Sequence, residues 1–304
     1  MIVTCLIGDP VEQSVSEYMY NFFAEKVDLN YSHVKFRIPS RKRSSLKRAL
    51  QSLRVLNMRG ANITFPFKIK VMKYLDEINK DAVLIGAVNL IVNKNGRLVG
   101  FNTDGKGALL AIEKHLKNIE PTDKIVVFGA GGAARAIIYE IAKRTQNITV
   151  INRAADFYLA KKLRKDFIKI ISGIKILPLS NKNLIRTIIE ADIIINATPV
   201  GMFPRIQNSL LSEINFSKIN SFAPIKDKYF FDVVYNPYLT KFLSIAKRYK
   251  AKICPGLYMM IYQGLSSFKL WTGKDIQRTG IINEVHGLLK QKLALLNKTD
   301  NYEN

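Results

Sequence analysis

The chain has 304 residues, with 47 Lys and Arg against 24 Asp and Glu, a formal charge of +23 at neutral pH. A hydrophobic content of 48% supplies a sizeable core, which excludes a disordered chain even at that charge, and the length exceeds what one core usually organises. Two distant cysteines, Cys5 and Cys254, and three lone histidines, His33, His115 and His286, exclude a disulfide framework or zinc site by spacing, while the charge points to anionic partners without choosing among them.

Residues 2–7 form an apolar, β-branched run that turns at Gly8-Asp9-Pro10. With no basic leader it reads as a strand and not as a secretion signal, and no apolar run in the chain reaches the roughly 18 residues of a membrane helix. Ser14-Val15-Ser16-Glu17 has the form of a capping box, with Ser14 capping a helix through 18–23. A second strand is expected at 31–36. Leu46, Ala49, Leu50, Leu53 and Leu56 then recur at helical spacing, with Lys47, Arg48 and Arg54 opposite, which predicts an amphipathic helix with a basic outer face. Strands at 61–64 and 87–92 follow, a short strand ends near Asn102-Thr103-Asp104-Gly105, and a helical pattern occupies 106–117. Residues 100–106 imitate a P-loop, but Gly107 stands where Ser or Thr must hold magnesium, which excludes an NTPase.

Beyond Pro121 a new βαβ unit begins, with strands at 124–128, 148–151, 192–195 and 229–234, and two helices, 257–271 and 276–296, end the chain. Apolar strands alternating with helical segments indicate an α/β protein with parallel sheet and crossover helices. The strand at 124–128 runs into Gly129-Ala130-Gly131-Gly132-Ala133-Ala134, the G-x-G-x-x-A form of a dinucleotide-binding turn. There Gly129 permits the tight turn, Gly131 lets the backbone approach a pyrophosphate, and Ala134 lets helix pack on strand. The bland alternative is a tight turn alone. At the end of the next strand, where an acid usually meets the ribose of NAD, stand Asn152 and Arg153, a pair suited to the 2′-phosphate of NADP(H).

Hydride transfer to a ketone leaves negative charge on oxygen and needs a positioned proton donor. Lys68 leaves the strand at 61–64 on a proline-stiffened loop, on the side where open α/β sheets bind ligands. Read alone, Lys68 is a surface charge and Asp104 a helix cap.

Read together with Ser14-Val-Ser16, Asn62-Ile-Thr64-Phe-Pro66-Phe-Lys68, Gly86-Ala-Val-Asn89, Asn102-Thr-Asp104-Gly105, Asn152-Arg153, Asn196-Ala-Thr-Pro-Val-Gly-Met202, Tyr235-Asn-Pro237 and Tyr262-Gln263-Gly264, they resemble the shikimate and quinate dehydrogenase family, over residue 8 to about 273. The resemblance implies an α/β protein of two domains: an N-terminal mixed α/β substrate-binding domain, 1–103 rejoined by C-terminal helices at 256–304, and a Rossmann-type doubly wound NADP-binding domain, 104–255. It implies NADPH-dependent, reversible reduction of 3-dehydroshikimate to shikimate on the route to chorismate and the aromatic amino acids. By that match Lys68 exchanges the proton with Asp104 as its partner, and Ser14, Ser16, Thr64, Asn89, Tyr235 and Gln263 hold the substrate. Gly129, Ala130, Gly131, Gly132, Ala133, Asn152, Arg153, Thr198, Val233 and Gly256 would face NADP(H). A cytoplasmic monomer or homodimer is expected, with no metal, no specific nucleic acid and no membrane partner.

The chain departs from the family at several places. Glu17 and Lys241 stand where proline is common, Leu90 and Ala154 where threonine is, Phe157 where a second basic residue is, and Tyr258 where glycine is. Lys161 and Arg164 are candidates to replace the missing basic group. These departures leave room for a quinate or shikimate dehydrogenase using NAD. A third reading, a non-catalytic protein holding nucleic acid or acidic lipid on the same fold, rests on the eight basic residues and no acid between Lys35 and Arg54.

Overall fold

A computed structural model of the chain describes residues 1–41, 43–212, 225–276 and 280–299. The chain divides into two units, Met1–Gly107 with Ile261–Asn304, and Ala108–Met260. The divisions fall inside helices, whereas the sequence places boundaries at 103/104 and 255/256.

The first unit runs β1 (Ile2–Gly8), α1 (Ser16–Glu25), β2 (Tyr31–Arg37), α2 (Arg43–Val55), β3 (Gly60–Ile63), a 3₁₀ turn (Lys70–Tyr74), β4 (Glu77–Ile78), α3 (Lys80–Ile85), β5 (Leu90–Lys94), β6 (Arg97–Phe101) and the start of α4 (Asp104–His115). Its sheet has the order β2-β1-β3-β5-β6-β4. Strands β1, β2 and β3 are parallel, β5 is antiparallel to both β3 and β6, and β4 runs parallel to β6. The reversal between β5 and β6 follows from Asn95 and Gly96, both at positive φ (53° and 87°), the backbone of a tight hairpin turn. Helix α2 buries Leu46, Leu50 and Leu53 against Cys5, Ile7, Ala61 and Ile63 of the sheet, as its period predicts. Leu56, expected on the same stripe, is 66% exposed because the helix has already ended at Val55.

In the second unit come β7 (Ile125–Phe128), α5 (Gly132–Ile141), β8 (Ile148–Asn152), a 3₁₀ turn (Ala154–Asp156), α6 (Phe157–Phe167), β9 (Lys175–Pro178), α7 (Asn181–Glu190), β10 (Ile193–Asn196), β11 (Tyr229–Asp232), α8 (Lys241–Arg248), β12 (Lys252–Cys254) and the start of α9 (Gly256–Thr272). The sheet order is β12-β11-β10-β7-β8-β9, and every pairing is parallel. This is the doubly wound order of a Rossmann sheet, whose direction of winding reverses between β7 and β10. Its central strands are buried on both faces, which is why they read as continuous apolar runs. Strands β9 and β12 are not legible from periodicity, since β9 is half exposed and β12 has three residues, whereas helices α6 to α8 do carry buried residues at helical spacing.

The rest of α9 and all of α10 (Ile281–Thr299) belong to the first unit, as expected of C-terminal helices that return to it. Trp271 of α9 is buried and donates its indole N–H to the Ile91 carbonyl of β5 at 2.9 Å. Lys26, the C-cap of α1, pairs with Glu284 of α10 at 3.2 Å. The predicted helix at 276–296 is found only from Ile281, and residues 277–279 lie outside the described residues.

Candidate active site

Lys68 lies just beyond β3 and Asp104 opens α4, and the two side chains meet: Nζ donates to Asp104 Oδ2 at 2.5 Å. Side-chain exposure is 18% for Lys68 and 7% for Asp104, so this is an enclosed ion pair and not a surface charge. Nor is Asp104 a cap. Helix α4 begins at Asp104 itself, past the capping position, and Asn102 Oδ1 accepts its N–H at 3.0 Å. Asn89 Nδ2 donates to Asp104 Oδ1 at 2.7 Å and so turns Oδ2 toward Lys68.

Asn89 is itself fixed. Its Oδ1 accepts the Thr103 N–H at 2.8 Å, and its Nδ2 lies 3.0 Å from Thr103 Oγ1 and 3.4 Å from Gln263 Oε1. Behind it, the buried Ser267 hydroxyl lies 3.1 Å from Thr103 Oγ1 and donates to the Gln263 carbonyl at 2.9 Å. The Tyr20 hydroxyl is buried beside Ser267, Asn62 and Gln263, and burial pushes its ionisation up, so it stays neutral. Thr103, Ser267, Tyr20 and Asn62 are absent from the sequence-derived site. One signal was available: Ser267 follows Gln263 by four residues on a helix and so shares its face.

The serines behave differently from the capping-box expectation. Helix α1 starts at Ser16, its N-cap is Val15, and no side chain caps it. Ser14 Oγ instead accepts the Ser16 N–H at 3.2 Å and donates to Ser16 Oγ at 3.1 Å, while Glu17 pairs with Lys35 at 3.3 Å. A turn at Val11–Ser14, closed by the Ser14 N–H on the Val11 carbonyl, delays the helix. The result is two enclosed hydroxyls at an uncapped helix start, an arrangement that can receive a carboxylate. Thr64, half-buried, donates its N–H to the Ile7 carbonyl of β1.

The second unit carries the glycine turn. Gly129 has φ of +103°, which disfavours any side chain, and a Cβ there would come within 3.0 Å of the Ala197 carbonyl and Thr198 Cγ2. A Cβ on Gly131 would meet nothing within 4 Å, and no side chain caps α5, so open space adjoins the start of a helix whose first amides have no side-chain acceptor from the cap. Ala130 is buried, and Gly132 and Ala133 open the helix. These residues therefore fit the pyrophosphate of a dinucleotide.

At the end of β8, Asn152 Nδ2 donates to the Asp156 carbonyl at 2.7 Å, and the exposed Arg153 pairs with the Asp156 carboxylate. That exposed pair is weak and leaves the guanidinium exchangeable for a phosphate. Lys161 lies over the Phe157 ring at 5.9 Å and, with Arg164, Lys165, Ile168 and Ile176, lines a surface hollow of about 220 Å³.

One buried carboxylate ties down the loops after β10 and β11. Asp232 Oδ1 accepts from Asn196 Nδ2 (2.9 Å) and the Val234 N–H (3.0 Å), and Oδ2 from the Thr240 hydroxyl (2.6 Å). Asn196 Oδ1 in turn accepts from the Thr198 hydroxyl at 2.7 Å. Complete burial pushes Asp232 up to about 7 against these three hydrogen bonds. Val233 donates its N–H to the Asn196 carbonyl, and Gly256 packs so closely that a Cβ would lie 2.5 Å from the Val233 carbonyl. Tyr235 is half-buried in the same loop. Tyr258 stacks on His115 with ring centroids 3.6 Å apart, so its bulk is held in one place.

Comparison with known proteins settles the family. The shikimate dehydrogenase (NADP(+)) of Methanocaldococcus jannaschii is 39% identical over 292 residues, covering 92% of this chain and 96% of the relative. The chain belongs to the shikimate dehydrogenase family. Residues 6–91 match the family model of the shikimate dehydrogenase substrate binding domain, and residues 256–285 that of the shikimate 5'-dehydrogenase C-terminal domain. A crystal structure of a shikimate dehydrogenase in complex with NADP+ is 37% identical with a TM-score of 0.81, covering 96% of each chain. One from Listeria monocytogenes, in complex with shikimate and NAD, is 32% identical with a TM-score of 0.79, covering 95% of this chain and 96% of its own.

For a shikimate dehydrogenase, the basic stretch that prompted a binding-protein reading has a structural explanation. Lys35 and Arg37 pair with Glu17, Asp9 and Glu12, and Arg54 reaches Asp76 at 2.6 Å and the Gly96 carbonyl at 2.8 Å. Three of the eight cations of that stretch, Lys35, Arg37 and Arg54, are thus paired with the protein's own acids. Among the described residues, no three His, Cys, Asp or Glu side chains gather as a metal site, and no helix is long and apolar enough to cross a membrane.

Proposed function

We propose that the protein catalyses the reversible, NADPH-dependent reduction of 3-dehydroshikimate to shikimate in the biosynthesis of chorismate and the aromatic amino acids. The observation that carries the chemistry is the enclosed Lys68–Asp104 pair at 2.5 Å, oriented by Asn89. NADPH, when bound, supplies the hydride. As the ketone oxygen of the substrate gains negative charge, Lys68 gives it a proton from Nζ, and in the oxidative direction Lys68 takes that proton back. Asp104 holds Nζ in position, and its carboxylate is an acceptor for a neighbouring substrate hydroxyl.

Ser14 and Ser16 receive the carboxylate, while Thr64, Asn89, Gln263 and Tyr235 bind hydroxyls. In this reading the first unit is the substrate-binding domain and the second the NADP-binding domain. Gly129 to Ala133 cradle the pyrophosphate, Asn152 and Arg153 take the 2′-phosphate, and Thr198, Val233 and Gly256 border the nicotinamide end. A cytoplasmic location and a monomer or homodimer complete the reading, the latter open to light scattering.

The test follows nicotinamide absorbance with purified protein. Shikimate with NADP+ is expected to turn over, with kcat/KM at least about tenfold above that with NAD+, the worth of one charge-assisted phosphate contact. Turnover of quinate with NAD+ at equal or greater efficiency would replace this reading.

A further inference from the structure

Strand β2 presents two cations to the loop that follows β1. Lys35 and Arg37 lie two residues apart, hence on one face of the strand, opposite Leu6 and Gly8 of β1. Arg37 is largely exposed, with Asp9 at 2.8 Å and Glu12 at 3.2 Å. Lys35 is more enclosed: Nζ donates to the carbonyls of Glu12 (3.2 Å) and Ser14 (3.1 Å) and lies 3.3 Å from Glu17 Oε1. With side-chain exposure of 19% for Lys35 and 27% for Glu17, this pair is screened less than an open surface pair.

Glu17 directly follows Ser16, the hydroxyl assigned above to the substrate's carboxylate. Because Lys35 Nζ touches both the Ser14 carbonyl and Glu17 Oε1, the carboxylate lies close to the serine turn, and leaving it unpaired would set a second negative charge near the receptor of an anion, a partly screened repulsion worth about tenfold in affinity. Lys35 meets both needs of the site, because one ammonium neutralises Glu17 while its other protons hold the backbone carbonyl of Ser14. We propose that Lys35 is a positioning residue for substrate recognition, cancelling the charge of Glu17 so that Ser14 and Ser16 can receive the substrate's carboxylate. The proposal deepens the functional reading and rests on its assignment of the two serines.

Steady-state oxidation of shikimate with NADP+ tests it on the full-length protein. Lys35→Met is expected to raise the KM for shikimate about tenfold, with kcat and the KM for NADP+ within about twofold of wild type. Glu17→Gln alone should leave the shikimate KM at or below the wild-type value, and adding it to Lys35→Met should return that KM to within about threefold of wild type. A clamp lost from the loop carbonyls would not be repaired by neutralising Glu17. An unchanged KM in Lys35→Met, or no recovery in the double variant, therefore overturns the proposal. Should Lys35→Met not fold, Lys35→Gln is read by the same criteria, since it drops the charge and keeps a donor for the carbonyls. Absence of shikimate turnover by the wild type would instead sink the functional reading, a result distinguishable from either failure.

Discussion

Lys68 and Asp104 became legible in the sequence only as a pair inside a motif series. Singly, a lysine after a proline-stiffened strand is a solvated charge, and an aspartate at a helix start is a cap. The structure removes both bland readings: Lys68 is enclosed, and Asp104 is the first residue of α4 rather than its cap, with its two carboxylate oxygens accepting from Lys68 and Asn89. Other residue-level features stayed hidden because they depend on partners distant in sequence. Ser14 looks like an N-cap, yet the backbone turn at Val11–Ser14 makes it a partner of Ser16. Arg153 reads in the sequence as a candidate phosphate ligand, and its ion pair with Asp156, three residues on, is visible only in the structure. Replacing Lys68 by Ala removes the proposed proton donor while leaving the glycine turn intact. Lys68→Ala is expected to lower kcat by about 10²- to 10⁴-fold, with NADPH affinity within about threefold of wild type. Stopped-flow reduction and NADPH fluorescence titration measure the two separately, and near-normal turnover would remove Lys68 from the proton transfer.

At the scale of elements, period and composition exposed the strands that are buried on both faces, β7, β8, β10 and β11, and the helices with long apolar stripes. They missed β9 and β12, whose half-exposed or three-residue segments carry too little alternation, and left α6 to α8 unnamed although Ala160, Leu163 and Phe167, Leu184 and Ile188, and Phe242, Leu243 and Ala246 recur there at helical spacing. They also missed how the functional edge of the Rossmann sheet is held. Asp232 at the end of β11 binds Asn196 at the end of β10 and Thr240, the cap of α8, so two loops and a helix start depend on one buried side chain. Asp232→Ala leaves those donors buried and unsatisfied and should destabilise the protein by about 3 kcal/mol. Burial raises the Asp232 value to about 7 in the folded protein, above its ordinary carboxylate range when unfolded. The folded state therefore holds a proton that the unfolded state has released. The resulting stability is complete at acid pH, below that ordinary range, and is lost as pH rises through about 7. Urea denaturation across about pH 5 to 8 should show this falling component, and Asp232→Asn, which cannot ionise, should flatten it. A slope unaltered in Asp232→Asn would place the proton elsewhere.

For the whole molecule, the net charge of +23 was visible from the first count, but its meaning was not. Paired one to one, the 24 acids leave a surplus of 23 basic groups, which no arrangement of ion pairs can hide. The structure shows that cations near the serine loop and α2 are partly committed: Lys35 to Glu17, Arg37 to Asp9 and Glu12, Arg54 to Asp76. Elsewhere on α2, Lys47 and Arg48 are exposed. An unbalanced positive surface raises the local concentration of anions, and both proposed ligands, a phosphorylated dinucleotide and a carboxylate, are anions. Steering of this kind acts on encounter and not on the bound complex, so it belongs in kcat/KM and not in kcat. With a Debye length of about 10 Å at 0.1 M salt and about 30 Å at 0.01 M, raising NaCl over that range should lower kcat/KM for shikimate several-fold and leave kcat within about twofold. Initial rates at fixed pH across a salt series, with an uncharged osmolyte as control for water activity, measure it. A kcat that falls in parallel would mean that salt acts on the bound site, at the Lys68–Asp104 pair or the serines, and that the surface charge contributes nothing to capture.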